Sequence, residues 1–396
     1  MDKVLDKVLV EKSRTIKEMR DLFLSSLDVA RKHYVKYRWT EHACLLDCIM
    51  GHPNCQMAIK CDFSATLSWT SYKTDNSTIP KHAVIEVFII YSNWRDVIFE
   101  RKDENDNVII DKKQIYDVDV RHYLGDTKDK GKSHNHVFHN ACINDIRKDY
   151  AGNSQYDVMT IWTDNCGGQY KCRQTFLNEL CLHLERQELQ NHSIYQGNLC
   201  GVHKFAQVYR FKGNHDAEGK VVKHFIRDDI RMGNVPDNVF EIFIRLHSEK
   251  RIEKNILWDL YASTRNEKIQ NKLPHGIDTR LFKYVTSDLN EFNHLKTEWK
   301  DYIVFADRCS DNVPDTSAVR NTSKLYQIIG PKQCLEAGTD TEAPIYNLTC
   351  SELPCSCYTC RSGQYSTCEN KSDLGKIWTH KMQQKKGKRT CDENES

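Results

Sequence analysis

The sequence predicts a mixed α/β fold, in which helices flank a five-stranded sheet, with helices at the N-terminus and a cysteine-rich segment at the C-terminus. Three observations support it. The nearly continuous apolar run at 158–162 is typical of a strand buried on both faces. Alternating strands joined by short polar links precede it, which indicates an antiparallel meander. After it, helical segments alternate with strands, and such crossovers require parallel neighbours.

Length and composition bound the functions that the chain can have. Its 396 residues allow two or three domains. The 57 basic and 55 acidic residues nearly balance, so a nucleic-acid contact must come from local clustering. The charged N-terminus and the lack of any run of about twenty apolar residues predict neither a signal peptide nor a membrane span, so we expect a nuclear or cytoplasmic protein that is not secreted.

Residues 1–54 predict an N-terminal helical region, because apolar side chains recur at helical spacing between Val4 and Trp39. These helices either bind a partner or pack against the following domain, and we favour packing. The first strand covers 56–69 and places Asp62 on the face opposite Met57. An acid in the middle of a strand is a candidate for chemistry, although an exposed Asp that faces a Lys or Arg would also fit.

The middle of the chain predicts the remaining strands of the sheet. Segments 82–101 and 113–124 complete the meander, and an amphipathic helix follows over 137–146. His139 lies in its first turn and is interpreted as part of a solvated helix start, with metal or phosphate contact as the alternative. The buried strand then ends at Asp164, ahead of two glycines. Open α/β sheets place their chemistry at such strand ends, although an Asp before glycines also serves a turn.

The last part of the predicted core, which covers 55–235, contains a strand at 204–211 and a helix that begins near Asp216 and Glu218. Acids at a helix start also act as caps. In this element order the first and fourth strands lie side by side, as in a ribonuclease-H-like domain. Asp62 and Asp164 would then meet at the centre of the sheet, and the helix start would bring Asp216 or Glu218 to the same place.

The rest of the chain predicts a mainly helical or mixed accessory region at 236–345 and a cysteine-rich region with a basic tail at 346–396. Five closely spaced cysteines in a polar segment indicate a structural zinc knuckle, because four thiolates suit tetrahedral zinc. Unpaired, redox-labile cysteines are the alternative. The expected ligands are Cys355, Cys357, Cys360 and Cys368, with Cys350 as the alternative ligand. The tail KMQQKKGKR either binds a phosphate backbone, acts as a nuclear address or is simply exposed.

Three stretches, DFSATLSW, TDNCGGQYK and NHDAEGKVVK, resemble the acidic blocks of DDE-type transposases of the ribonuclease-H-like superfamily. The resemblance covers roughly residues 40–235. Two places depart from the family pattern: Ser64 and Ala65 follow the first block's acid and Phe63, and Gly213-Asn214-His215 opens the third block. An inactive or domesticated copy is therefore the alternative to an active enzyme.

The resemblance implies DNA strand cleavage and transfer, with two Mg²⁺ or Mn²⁺ ions roughly 3.5–4 Å apart. Asp62, Asp164 and Asp216 are the implied metal ligands, and Glu218 is the alternate third acid. Lysines around the blocks either clamp phosphates or form a solvated helix face. These lysines are Lys171, Lys212, Lys220 and Lys223.

Two other functions stay open: a non-catalytic DNA-binding or scaffold protein that uses the zinc knuckle and the basic tail, and a ribonuclease-H-like nuclease. The expected partners are DNA and, in a homo-oligomer, a second copy of the chain. No membrane partner is expected.

Overall fold

A mixed ten-stranded sheet is the centre of the structure, a computed structural model. It describes residues 16–51, 56–72, 78–102, 105–126, 136–150, 156–166, 170–180, 200–206, 213–252, 279–306, 319, 322–330 and 345–383. The strands are β1 (Gln56–Tyr72), β2 (Thr78–Lys102), β3 (Val108–Asp126), β4 (Val158–Thr163), β5 (Cys200–Phe205), β6 (Thr279–Thr286), β7 (Ile303–Phe305), β8 (Gln327–Ile329), β9 (Ile345–Ser351) and β10 (Ile377–Gln383).

The strand order across the sheet is β10-β9-β8-β5-β4-β1-β2-β3-β6-β7. Strands β1, β2 and β3 form an antiparallel meander. Strand β4 pairs parallel with β1 on one side and with β5 on the other. The predicted mixed α/β class, with a mixed sheet flanked by helices, is thus confirmed.

The sheet is larger than the five strands predicted. The predicted strands lie next to one another at its centre, and five more continue it on both sides. Parallel strands β6 and β7 extend the β3 edge, and antiparallel strands β8, β9 and β10 extend the β5 edge. They pair edges that would otherwise leave backbone N–H and C=O groups open. Two of them, β7 and β8, are only three residues long, and β8 lies within 324–330, where the sequence predicts a short strand.

Helices cover both faces of the sheet, which explains why all six residues of β4 are buried. The helices are α1 (Ile16–Ile49), α2 (His136–Tyr150), α3 (Arg173–Leu180), α4 (Asn214–Arg231), α5 (Val239–Lys250), α6 (Leu289–Lys296) and α7 (Tyr358–Arg361). Helices α2 and α3 contribute to the apolar core on one face, where Met57 and Cys61 of β1 also lie. Helices α4, α5 and the end of α1 contribute to the core on the other face, which includes Ala58 and Trp162.

Helix α1 packs against the sheet only along its C-terminal part. Ala43, Cys44 and Cys48 are buried there, whereas residues 17–35 are exposed. We predicted packing of this region against the following domain, and for residues 17–35 that prediction was wrong. A helix of 34 residues is about 50 Å long, so it extends beyond the elements that it covers.

The strand predicted at 204–211 is β5, which begins four residues earlier and ends at Phe205; residues 207–212 lie outside the described part of the chain. Among the described helices, none has the length and apolar character required to cross a membrane.

Candidate functional site

Two acids lie at corresponding positions of neighbouring parallel strands, Asp62 in the middle of β1 and Asp164 directly after the end of β4. In the β1–β4 pair, Lys60 is opposite Trp162. Asp62 and Asp164 each follow two residues later, and residues two apart along a strand share a face. The Asp164 carboxylate also accepts the Cys166 N–H at 3.0 Å, so this acid serves the turn. Its charge raises the pKa of Asp62, but it does not belong to the group of possible metal ligands described below.

The third acid comes from the start of α4. Asp216 lies in its first turn, and its carboxylate accepts the Gly213 N–H at 3.0 Å. The helix start lies very close to β1. A Cβ built on Gly213 would lie 2.5 Å from the Lys60 Nζ, and one on Gly219 would lie 2.8 Å from the Ser64 Oγ. The two glycines therefore allow α4 to approach the strand that carries Asp62.

His215 completes the group. Its Nε2 atom lies 3.8 Å from the Asp62 Oδ2 and 3.7 Å from the Asp216 Oδ2, and the ring is almost fully buried. One ligand atom from each of these three residues lies within 4.8 Å of the other two. We did not predict a role for His215, although its place directly before Asp216 in the third block was the available signal.

Glu218 is engaged elsewhere. Its carboxylate accepts two hydrogen bonds from Arg280 of β6, at 2.9 and 3.0 Å, and lies 3.5 Å from the His122 ring. Residues two apart on a helix point about 200° away from each other. Our expectation that Glu218 and Asp216 reach almost the same space was therefore wrong.

Electrostatics at the site favour a cation. The pKa of Asp62 is raised to about 8, chiefly by burial and in addition by the negative charges of Asp164 and Asp216. Burial also raises the pKa of Asp164, against the Cys166 N–H and the Lys171 charge, which lower it. Carboxyl groups that resist ionisation because like charges lie nearby gain most from a bound cation.

The four lysines assigned to phosphates have different environments. Lys171 is buried, and its ammonium donates to the carbonyl oxygens of Thr322 at 2.8 Å and Leu325 at 2.5 Å. Burial lowers its pKa to about 7, although the Asp164 charge opposes the shift. On α4, Lys220 is exposed and Lys223 is partly buried. Lys212 lies outside the described residues.

Four of the C-terminal cysteines form a compact cluster. The sulfur atoms of Cys355, Cys357, Cys360 and Cys368 all lie within 4.8 Å of one another, and this cluster could hold a metal such as zinc. Cys350 lies on β9 and packs in the apolar core instead. The four cysteines predicted as ligands therefore lie together, and Cys350, the predicted alternative ligand, lies outside the cluster.

Buried hydrogen bonds connect the cysteine cluster to the sheet. The Lys204 ammonium on β5 donates to the Cys355 carbonyl at 2.7 Å and to the Asp47 carboxylate of α1 at 2.7 Å. The Gln327 side chain on β8 accepts the Cys355 N–H at 2.9 Å. The Trp39 indole of α1 donates to the Pro354 carbonyl at 2.6 Å. Three separate elements thus hold the segment that begins the cluster.

No known protein family matches the chain, and neither a curated protein nor a solved structure shows significant similarity to it.

Proposed function

We propose that the chain is a transposase-like enzyme, or the inactive descendant of one, in which Asp62, Asp164 and Asp216 hold the divalent cations used to cleave and join DNA strands. The observation that carries this proposal is the convergence of acids from three elements. Asp62 and Asp164 lie two residues beyond the paired Lys60 and Trp162, and Asp62 and Asp216 belong to a group whose ligand atoms lie within 4.8 Å of one another. The pKa of Asp62 is raised by both Asp164 and Asp216, although the three residues are far apart in the sequence. An acid such as Asp62, whose ionisation the fold disfavours through burial and neighbouring acids, is a candidate for a functional site.

The order of the central strands supports the same proposal. Strands β3-β2-β1-β4-β5 are neighbours, the first three antiparallel and the last three parallel, as expected for a ribonuclease-H-like domain. Two of the acids follow the parallel pair at the centre. Crevices at the carboxyl ends of parallel strands are where α/β sheets place their ligands.

The residues present fit Mg²⁺ or Mn²⁺. Carboxylate oxygens are the hard ligands that Mg²⁺ prefers, and Mn²⁺ also accepts an imidazole nitrogen such as that of His215. When bound, such cations neutralise the charge on a phosphodiester and lower the pKa of an attacking water. The chain itself provides the three carboxylates and, in β1 and β4, the rigid strands that position two of them.

Cleavage of supercoiled plasmid in Mg²⁺ or Mn²⁺ tests the proposal. We expect nicked product from the wild type and a loss of at least about a hundredfold in Asp164→Asn, because one cation ligand is removed. Asp228→Asn is the matched control, since Asp228 lies on α4 with an exposed side chain. Equal cleavage by Asp164→Asn and the control would refute the assignment. The same assay on an RNA–DNA hybrid tests the alternative of a ribonuclease-H-like nuclease, which would cleave the hybrid and leave the plasmid intact.

We also propose that the cysteine cluster holds one structural zinc ion. Elemental analysis of the purified chain should give one zinc per chain in the wild type and in Cys350→Ala, because Cys350 is outside the cluster. Cys360→Ser should lose it. Retention of zinc in Cys360→Ser would contradict the proposed ligand set. Specific DNA binding by a zinc-loaded chain that never cleaves DNA would favour the non-catalytic alternative.

A further inference from the structure

A chain of polar side chains crosses the apolar core on the α2 and α3 side of the sheet. It lies beneath the candidate acid site, and its members come from β2, β4, β5, α2, α3 and the turn before α3. None of them is exposed to solvent. We call it the buried relay, and its members are Tyr170, Glu86, His139, Glu179, His203 and Thr163.

Short hydrogen bonds join the relay from Glu86 to Thr163. His139 lies between two carboxylates, with its Nδ1 atom 2.6 Å from Glu86 and its Nε2 atom 2.7 Å from Glu179. The other oxygen of Glu179 contacts the Nδ1 atom of His203. The Nε2 atom of His203 lies 2.8 Å from the Thr163 hydroxyl. The interpretation of His139 as part of a solvated helix start was therefore wrong.

The hydrogen-bond directions follow from the partners. Both ring nitrogens of His139 face carboxylates and therefore donate. Burial opposes its protonation, but the two carboxylates raise its pKa to about 10. The single proton of the Thr163 hydroxyl goes to a backbone carbonyl, so His203 must donate to that hydroxyl. His139 thus joins Glu86 to Glu179, and His203 joins Glu179 to Thr163. A buried network of this kind holds its members in one arrangement.

The two ends of the relay reach the backbone beside the two acids. At one end, the Tyr170 hydroxyl accepts the Phe63 N–H at 3.0 Å, one residue after Asp62. The same hydroxyl lies 3.5 Å from Glu86. At the other end, the Thr163 hydroxyl donates to the carbonyl of Asp164 at 3.0 Å. The relay therefore ties the middle of β1 to the end of β4, just beyond the point where the parallel pairing of these strands stops.

We propose that the buried relay positions the acid site, with Thr163 and Tyr170 acting as positioning residues that set the spacing between Asp164 and Asp62. The inference rests on the proposed function, since the spacing matters only if the two acids bind a cation together. Neither positioning residue contacts the cation. Each acts through the backbone of its strand, as the outer partners of metal ligands do in other sites.

The test measures Mn²⁺ affinity directly, by titrating the zinc-loaded chain and detecting free Mn²⁺ by electron paramagnetic resonance. The Mn²⁺ binding that is lost in Asp164→Asn is the binding at the acid site. Thr163→Val keeps the shape of the side chain and removes the hydroxyl, so we expect Mn²⁺ affinity to fall about tenfold. Thr163→Ser keeps the hydroxyl and should bind Mn²⁺ with the affinity of the wild type. Tyr170→Phe should lower the affinity in the same way as Thr163→Val.

Thr160→Val is the matched control, because Thr160 is an equally buried threonine on β4 whose hydroxyl contacts Gln56 instead. It should bind Mn²⁺ as the wild type does. Wild-type affinity in Thr163→Val would overturn the inference, and so would an equal loss in Thr163→Val and Thr160→Val. If the wild type itself shows no Mn²⁺ binding that depends on Asp164, the proposed function fails and the positioning role fails with it. If the wild type binds Mn²⁺ through Asp164 but cleaves no DNA, the comparison of Mn²⁺ affinities still tests the positioning role.

Discussion

Lys204 offers the sharpest test of how the cysteine cluster is fastened to the sheet. Its side chain is buried, and its ammonium has three partners: the Asp47 carboxylate at 2.7 Å, the Cys355 carbonyl at 2.7 Å and the Ser356 hydroxyl at 2.9 Å. The change Lys204→Met keeps much of the volume and removes the charge. It leaves the Asp47 carboxylate, which is also buried, without its cation.

Removing one partner of a buried ion pair costs about 3–5 kcal/mol, because the remaining charge is left unpaired in the interior. Asp47 keeps two other donors, the Trp162 indole at 2.8 Å and the Gln56 amide at 3.2 Å. We therefore expect a loss near the lower bound, about 3 kcal/mol of unfolding free energy. The double variant Lys204→Met/Asp47→Leu should lose less than Lys204→Met, since it leaves no buried charge.

Urea unfolding of the zinc-loaded chain, followed by tryptophan fluorescence, measures this difference. Lys32→Met is the control, because the Lys32–Asp28 pair is 72% and 61% exposed and should contribute at most about 1 kcal/mol. Zinc release to a chelator should also be faster in Lys204→Met, because the Cys355 carbonyl loses its donor. A Lys204→Met variant within about 1 kcal/mol of wild type, or a double variant that loses more than Lys204→Met, would refute the reasoning.

The other predictions concern the acid site and the core. Because the pKa of Asp62 is raised to about 8, a cation must displace a proton below that pH; Mn²⁺ affinity should rise by up to about tenfold per pH unit from 6 to 8 and then level, as titration would show. Without cations, the unfolding free energy of the wild type should fall as pH rises from about 4 to 8, because the folded chain holds the Asp62 proton more tightly than the unfolded chain does. In melting experiments at pH 8, Asp62→Asn should therefore be more stable than the wild type. Glu218→Gln should keep Mn²⁺ affinity within about twofold in the same titration, because this carboxylate pairs with Arg280. Phe176→Ala, at a fully buried position, should cost about 3–5 kcal/mol in urea unfolding.

The centre of the fold could be predicted because its strands carry strong patterns. The alternation around Asp62 and the apolar run before Asp164 each indicate a strand and a face, and crossover helices require the parallel pairing. Together these rules bring the two acids to corresponding positions of neighbouring strands. The outer strands were predicted only in part. The sequence indicates a short strand at 324–330, where β8 lies, and a strand or short helix at 278–285, where β6 lies, but no local pattern shows that these strands extend the central sheet.

The choice between Asp216 and Glu218 could not be made from the sequence, because it depends on a long-range partner. Arg280 lies on β6, a strand whose pairing with β3 has no local signal. The buried relay was unpredictable for the same reason. The partners of Glu86, His139 and His203 are 24 to 84 residues away in the sequence, so no local pattern marks them.

Strand β5 is where the cysteine cluster and the acid site depend on the same backbone. Neighbouring residues of a strand point to opposite faces, and here they are His203 and Lys204. His203 joins the relay under the acid site, whereas Lys204 holds the Cys355 carbonyl. On the adjacent strand, Gln327 pairs with Lys204 and accepts the Cys355 N–H. A slip of β5 by one residue would exchange the two faces and break both sets of bonds at once. Its register is therefore fixed by polar groups from both sides, and the same register supports both proposed metal sites.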